Sequence, residues 1–415
     1  MRRVACSRLA DEKIYFFRDI IILNAPRNVC LFCDRVSFGS IFSGDGNMRS
    51  GNWQILLLLA AIALLVVAYN RGCFHRVFHT QTQREAFADI LRKTNDSLAA
   101  QWLRAGEEAL QTPVAAPTPY FETGTFSGNA VTVLQFSSIP GRKLKIEIAN
   151  AGSVKIFADL FEQDSAGLKV LSEADTTKNL LEAESVFGGK YLVRLQPKPG
   201  YTGSYQLTLS TAPLIAWPVK AGVPANIGSY WGADRDGGRR AHQGVDIFAK
   251  KGSFLVAAAD GRAYRVGENN LGGKVIFLRP DHLPVSLYYA HLDSQLVGAG
   301  ARVNAGDIIG TVGNSGNARN TPPHLHFGIY TNRGAIDPIG FLQKANTPDK
   351  NNRNLPAVRK KTVVKRTKLF AIPDNKTPSQ FIPPGDTIFV NGATPNFYRV
   401  QTTGGKQGYI ARGDF

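Results

Sequence analysis

His242-Gln243-Gly244-Val245-Asp246 and, far downstream, His324-Leu325-His326-Phe327 are the stretches that decide how this chain is read. In the second, His324 and His326 are two residues apart. In a strand they share one face, while Leu325 and Phe327 turn the other way, into a core. In the first, His242 and Asp246 are four apart, a spacing that would also share a helix face. Gly244 followed by Val245, Ile247 and Phe248 instead reads as a loop running into a strand. His242 is therefore expected on the loop and Asp246 on the strand. The surroundings, from Trp217-Pro218-Val219 to about Leu342, are short β segments and glycine-rich turns without a useful helical period. They predict a β-rich domain over residues 213–343.

Five of the seven histidines fall between His242 and His326. A catalytic zinc wants three protein ligands of the imidazole and carboxylate type and an open position for water. His242, Asp246 and one of the paired histidines supply that set. A hard carboxylate beside two imidazoles suits zinc without excluding manganese or iron. His291 closes the strand-like run from Val285 to Ala290 and is expected at its exit. There, with the remaining histidine of the 324/326 pair, it can handle the proton of a water and donate to a developing oxyanion. No His-Glu-x-x-His helix is present, so general base duty falls to histidine. His282, beside Asp281 in an expected turn, and His75 and His79 are given no role.

With these residues in view a family becomes recognisable. Trp217-Pro218-Val219, HQGVD at 242–246, YYAHL at 288–292 and GTVGNSGNARNTPPHLHF at 310–327 resemble, in order and company, the lysostaphin-type zinc metallopeptidases. The resemblance implies one zinc held by His242, Asp246 and His326, with His324 and His291 as catalytic histidines. It also implies a narrow groove in a β-rich fold and hydrolysis of peptide cross-links in bacterial peptidoglycan through a metal-activated water. Gly328 stands where many relatives have an acid, which bears on the groove wall. The alternative reading is a latent or non-catalytic regulator that binds cell wall and activates other wall hydrolases. Regulators of that kind commonly lack ligand residues, and this chain has all of them.

Outward from this domain the reading is of a mainly β, multidomain chain. Thr82 to Glu85 spells a capping box, and Phe87, Ile90, Leu91, Leu98, Trp102 and Ala105 recur at helical spacing until Pro113. This predicts one amphipathic helix over 80–112. Beyond the proline-rich stretch the period becomes two, as in Leu144, Ile146, Ile148 and Tyr205, Leu207, Leu209, which predicts an antiparallel β-sandwich over 113–212. Its ending resembles the pre-peptidase C-terminal type of domain. Residues 344–368 read as a basic linker. Residues 369–415, with Tyr398 and Tyr409 as late aromatics, resemble a bacterial Src-homology-3-like barrel of the kind that binds cell-wall peptide in other proteins.

The 415 residues carry a formal net charge of +17, which points to polyanionic partners such as anionic envelope polymers. Basic residues do not interleave with an aromatic platform, so nucleic acid is not expected. From Trp53 to Tyr69 the chain is uncharged and apolar, at the lower edge of what spans a bilayer. Residues 48–72 are thus expected to be a transmembrane anchor, or a signal peptide cleaved after Val66-Val67-Ala68. The catalytic region then lies in the cell envelope, membrane-anchored with its domains outside the cytoplasm, or is secreted if the leader is cleaved. Met48 directly precedes this segment, which makes residues 1–47 an expected upstream extension from a misassigned start. Cys6, Cys30, Cys33 and Cys73 all precede the folded remainder, so its chemistry uses no thiolate and no disulfide.

Overall fold

The computed structural model describes residues 81–415 except 129, 151–155, 175–178, 236, 352–353 and 357–358, together with Leu59. The expected membrane segment, apart from Leu59, and all four cysteines lie outside the described residues. No described helix is long and apolar enough to cross a membrane.

The described chain is mainly β. It opens with α1 (Gln83–Thr94) and α2 (Asp96–Leu110). Thr82 and Glu85 cap α1 reciprocally, each side chain accepting from the other residue's backbone N–H at 3.0 Å. The expectation of one helix is corrected, because the chain breaks at Asn95. That residue is extended, at φ −156°, and its side chain accepts from Leu98 N to cap α2. The physical reason lies in Thr94-Asn95-Asp96-Ser97, where short polar side chains compete for backbone groups and favour a cap over helix interior.

A β-sandwich follows. One sheet holds β1 (Val114–Ala115), β3 (Thr132–Ser138), β5 (Ile156–Asp164), β6 (Gly167–Glu173) and β8 (Gly189–Pro197), in the order β1-β3-β8-β5-β6. The facing strands are β2 (Tyr120–Phe126), β4 (Arg142–Asn150), β7 (Leu180–Ser185) and β9 (Gly203–Pro213), in the order β2-β9-β4-β7. Leu134, Leu160, Val193 and Leu195 of the first meet Leu144, Ile146, Leu207 and Leu209 of the second in one buried cluster. Period-two alternation turns one face of the strands toward the facing sheet; β5 and β8 are buried on the other face as well, with Phe157 against Trp102 and Leu192 against Leu110 of the helices.

The central domain begins with β10 (Asn226–Ser229), the hairpin β11 (Asp234–Arg235) and β12 (Arg240–Ala241), then β13 (Val245–Phe248) and β14 (Phe254–Val256). It continues through β15 (Gly261–Asn269), β16 (Gly273–Pro280), β17 (Ser286–Gln295), β18 (Ala301–Val303), β19 (Ile308–Val312), β20 (His324–Thr331) and β21 (Gly334–Ile336), and ends in the short α3 (Ile339–Leu342). The main sheet runs β10-β13-β20-β17-β16-β15-β18. Val245, Ile247, Tyr289, Leu325 and Phe327 bury one face of its middle strands in a shared core. The opposite face is left to carry polar groups.

The C-terminal strands are β22 (Lys360–Thr362), β23 (Thr367–Phe370), β24 (Ser379–Ile382), β25 (Thr387–Ala393), β26 (Phe397–Thr402) and β27 (Gln407–Ala411). Two expectations change here. The basic linker is shorter than 344–368, because Lys360 to Thr362 pair with β25 and Val363 is buried behind them; lysines on such a strand keep an exposed edge from pairing with other chains. The C-terminal strands are also no detached unit. β25 pairs with β2 of the sandwich, and Phe370, Phe397 and Tyr409 belong to the sandwich core.

Candidate metal centre and groove

Three adjacent strands, β13, β20 and β17, build the site. Asp246 lies directly opposite His326 in the β13–β20 register, and Phe248 opposite His324. Side chains opposite each other in an antiparallel pair share a face, so Asp246 and His326 are brought together by register alone. Their neighbours Val245, Ile247, Leu325 and Phe327 are fully buried on the other face. His242 comes from the loop after β12, held by His242 N to Ala233 O at 2.8 Å and Gly232 N to His242 O at 2.9 Å.

His242 Nε2 is 3.0 Å from His326 Nδ1, and each of these nitrogens is 3.0 Å from Asp246 Oδ1. Donors about 2.0–2.1 Å from a tetrahedral zinc stand roughly 3.3 Å apart, so this triangle is close to the size zinc requires. The second ring nitrogen of His242, Nδ1, is 2.9 Å from Tyr230 O. A carbonyl only accepts, so Nδ1 carries the proton and Nε2 turns its lone pair to the triangle, the arrangement a metal-binding histidine needs. Two imidazoles and a carboxylate converging at this spacing, with the His242 tautomer set to present its lone pair, fit a divalent cation in donor type and spacing.

His324 and His291 stand beside the triangle. His324 Nδ1 donates to Pro322 O at 2.9 Å, and its Nε2 lies 3.9 Å from Asp246 Oδ1. His291 Nδ1 donates to Ser315 O at 2.9 Å, and its ring meets that of His324 edge-on at 5.0 Å. The two rings thus have the same tautomer, imposed by backbone carbonyls, with Nε2 left as acceptor.

His291 does not end its strand as expected; β17 runs on to Gln295. Tyr288 and Ala290 face the groove and Tyr289 the core, so regular alternation would send residue 291 into the core. His291 instead adopts φ +61°, and the pairing with β16 skips a register between Tyr289 and Leu292. This bulge returns His291 to the groove and gives Leu292 the core position. Ser315 reaches it because Gly316, at φ +72°, crosses Gly273 so closely that a Cβ would stand 2.3 Å from the Gly273 nitrogen.

His242, Asp246, His291 and His324 are buried. Burial and then the neighbouring His324 and His326 push His291 down to about 4, so it is neutral at neutral pH. Burial also lowers His326, against the opposing pull of Asp246. For Asp246 burial would raise the pKa, but the His242 and His326 nitrogens set against its carboxylate outweigh that and hold it well below the usual carboxylate range.

The groove around these groups has a volume of about 1240 Å³ and is walled by Phe248, Leu271, Phe277, Tyr288 and Tyr330, with Arg240 at its rim. Gly328 belongs to the Tyr288–Tyr330 wall: a Cβ there would lie 2.9 Å from the Tyr330 ring. All five residues singled out from sequence come together. Two others were not. Gly244 lets the His326 ring lie against the backbone, where a Cβ would stand 2.7 Å from Cε1. Arg235 on β11 donates to Asp246 Oδ2 at 2.7 Å. The glycine inside the HQGVD run was a visible signal of close approach; nothing in local spacing marked the arginine.

Residues 240–338 match the family model described as Peptidase family M23. Among curated proteins the chain is 38% identical over 140 residues to an L-Ala--D-Glu endopeptidase of Bacillus subtilis, covering 31% of this chain and 43% of that one. It is 33% identical over 138 residues to the murein hydrolase activator NlpD of Salmonella dublin, covering 32% and 33%. Among solved structures the catalytic domain of lysostaphin from Staphylococcus simulans is 33% identical, covering 29% of this chain and 91% of that one, at a TM-score of 0.26. The chain thus spans less than half the length of these curated relatives.

Proposed function

Because residues 240–338 place this chain in peptidase family M23, we propose that it is a zinc-dependent endopeptidase that cuts peptide cross-links of bacterial peptidoglycan. The observation that carries this reading is the inward-facing triangle of His242, Asp246 and His326 with two further imidazoles of matched tautomer beside it. His242, Asp246 and His326 would hold the metal, which when bound acidifies a water and polarises the scissile carbonyl. His291, neutral at neutral pH, takes up a proton at Nε2 and returns it to the departing amine; Ser315 O keeps its ring in place meanwhile. His324, its Nδ1 proton engaged by Pro322 O, takes the second proton of the attacking water at Nε2, donates it to the oxyanion as a hydrogen bond, and yields it finally to the departing amine.

A relative named as a murein hydrolase activator supports a second reading, a wall-binding regulator. The complete donor set favours catalysis. The proposed setting is the cell envelope, with the C-terminal strands as a Src-homology-3-like reader of wall peptide and the sandwich as a pre-peptidase-like companion.

Mass spectrometry of fragments released from defined peptidoglycan, with and without chelator, tests reaction, metal and substrate at once. Chelator should abolish release and added zinc restore it. His326→Ala is expected to lose metal and activity together. His291→Ala should keep metal and lose about 10²–10⁴-fold in rate, the usual worth of a positioned acid–base group. Intact wall after incubation with metal-loaded protein, unchanged by His291→Ala, leaves the regulator as the reading.

A further inference from the structure

We infer that Arg235 is a positioning residue that restricts Asp246 to binding the metal through a single oxygen. The inference rests on the zinc reading above. Asp246 has two oxygens with different partners. Oδ1 faces His242 and His326; Oδ2 takes a charge-assisted hydrogen bond from Arg235 Nη2 at 2.7 Å. The same Nη2 donates to Ser229 Oγ at 2.8 Å, so both its protons are committed and the guanidinium is fixed from two sides. Ser229 Oγ in turn lies 3.4 Å from His242 Nδ1, the nitrogen that faces away from the triangle.

A carboxylate with both oxygens free can turn to bind a divalent ion through two atoms, which takes up a further coordination position. A hydrolytic site needs that position for water. With Oδ2 engaged by Arg235, only Oδ1 is presented to the two imidazoles. The scaffold supports this role. Arg235 pairs with Arg240 across the β11–β12 hairpin, and His242 follows that hairpin directly, with its backbone bonded back to Gly232 and Ala233. One two-stranded ribbon therefore carries both a candidate metal ligand and the group that orients another. An ordinary surface ion pair would be worth little to folding, and Arg235 keeps 29% of its side chain exposed. Its effect is therefore expected on the metal rather than on stability.

The test measures zinc affinity by chelator competition, and the visible spectrum after cobalt substitution, for the full chain as wild type, Arg235→Gln and Arg235→Lys. Loss of such an outer partner typically costs 10–100-fold in metal affinity, and that loss is expected for Arg235→Gln. Its cobalt spectrum should also change intensity, the signature of altered coordination number. Arg235→Lys keeps a donor to Oδ2 and should recover part of both. The melting midpoint of the metal-free protein should hardly move in either. Wild-type affinity and an unchanged spectrum in Arg235→Gln would overturn the inference and leave the zinc reading standing. Loss of metal-free stability in both variants, with zinc affinity unchanged in the folded fraction, would reduce Arg235 to a structural residue and overturn it too. Failure of wild type to bind zinc would bring down the zinc reading, and the inference with it.

Discussion

At the residue scale, His291 concentrates the cost of building the groove. A non-glycine residue at φ +61° pays about 1 kcal/mol relative to glycine in backbone strain. His291→Gly should therefore fold more stably than His291→Ala by roughly that amount while both lose turnover; urea denaturation of the pair checks it, and equal midpoints would refute the strain. The same residue sets a pH dependence. Its folded pKa, about 4, lies below the ordinary 6.5. The unfolded chain thus takes up the proton first as pH falls, and the contribution is full above 6.5 and lost on the way down to about 4. The ceiling on this effect is on the order of 3 kcal/mol. Melting of metal-free protein should weaken across that window, and less steeply in His291→Ala; parallel slopes would contradict the assignment. Sequence reading found this histidine and misplaced it at a strand end, because a bulge is a relation between two strands and leaves no mark in one. It found His324 and His326 correctly oriented because strand alternation is local.

Among elements, the join between β2 and β25 is the least legible from sequence. Thr123 and Gly124 pair with Ala393 and Gly392, and beside them Glu122 and Arg399 form a buried ion pair. Arg399 Nε reaches Oε2 at 2.8 Å and Nη2 reaches Oε1 at 3.0 Å, while Tyr120 and Tyr205 hydroxyls donate to the same carboxylate. The carboxylate holds the Arg399 guanidinium charged despite burial, which acts in the opposite sense. Strand alternation set Glu122 on the face of Tyr120 and Phe126, and a charge on an apolar face announces a partner. It cannot say which of many cations far along the chain it is. Removing one member of such a pair strands the other, at about 3–5 kcal/mol. Glu122→Gln should lose that much in denaturant titration. Glu122→Leu combined with Arg399→Met should recover a good part of it, since two apolar groups leave no charge without a partner. A loss below about 1 kcal/mol for Glu122→Gln would mean that the join is held by strand pairing alone.

On the scale of the whole molecule, the sandwich is the hub to which the other described parts are fastened by buried arginines. Arg84 of α1 donates to Gln196 of β8 at 2.8 Å, Arg194 of β8 pairs with Asp159 at 2.7 Å, and both arginines reach Glu107 of α2. Arg399 ties it to the C-terminal strands. Arg142 of β4 ties it to the central domain: it donates to Gly340 O at 3.1 Å, Gln343 O at 2.6 Å and Lys344 O at 3.0 Å, supplying partners for carbonyls at the end of α3. Phe341 of α3 packs meanwhile in the core of the central domain and against Gly141, where a Cβ would stand 2.2 Å from its ring. Strand alternation within each segment was readable because it is local; this fastening was not, since its partners are some two hundred residues apart. Such coupling has a thermodynamic consequence. A ligand that binds the native state raises the stability of whatever unfolds with its site. On the proposed zinc reading, metal at His242, Asp246 and His326 should therefore shift one common transition of the central domain and sandwich in the wild type. In Arg142→Ala the carbonyls of Gly340, Gln343 and Lys344 lose a charged donor, a cost on the order of 3 kcal/mol. Calorimetry should then resolve two transitions, with chelator lowering only the one that belongs to the central domain. Two transitions already present in the wild type, one of them indifferent to chelator, would show that the domains unfold independently despite Arg142.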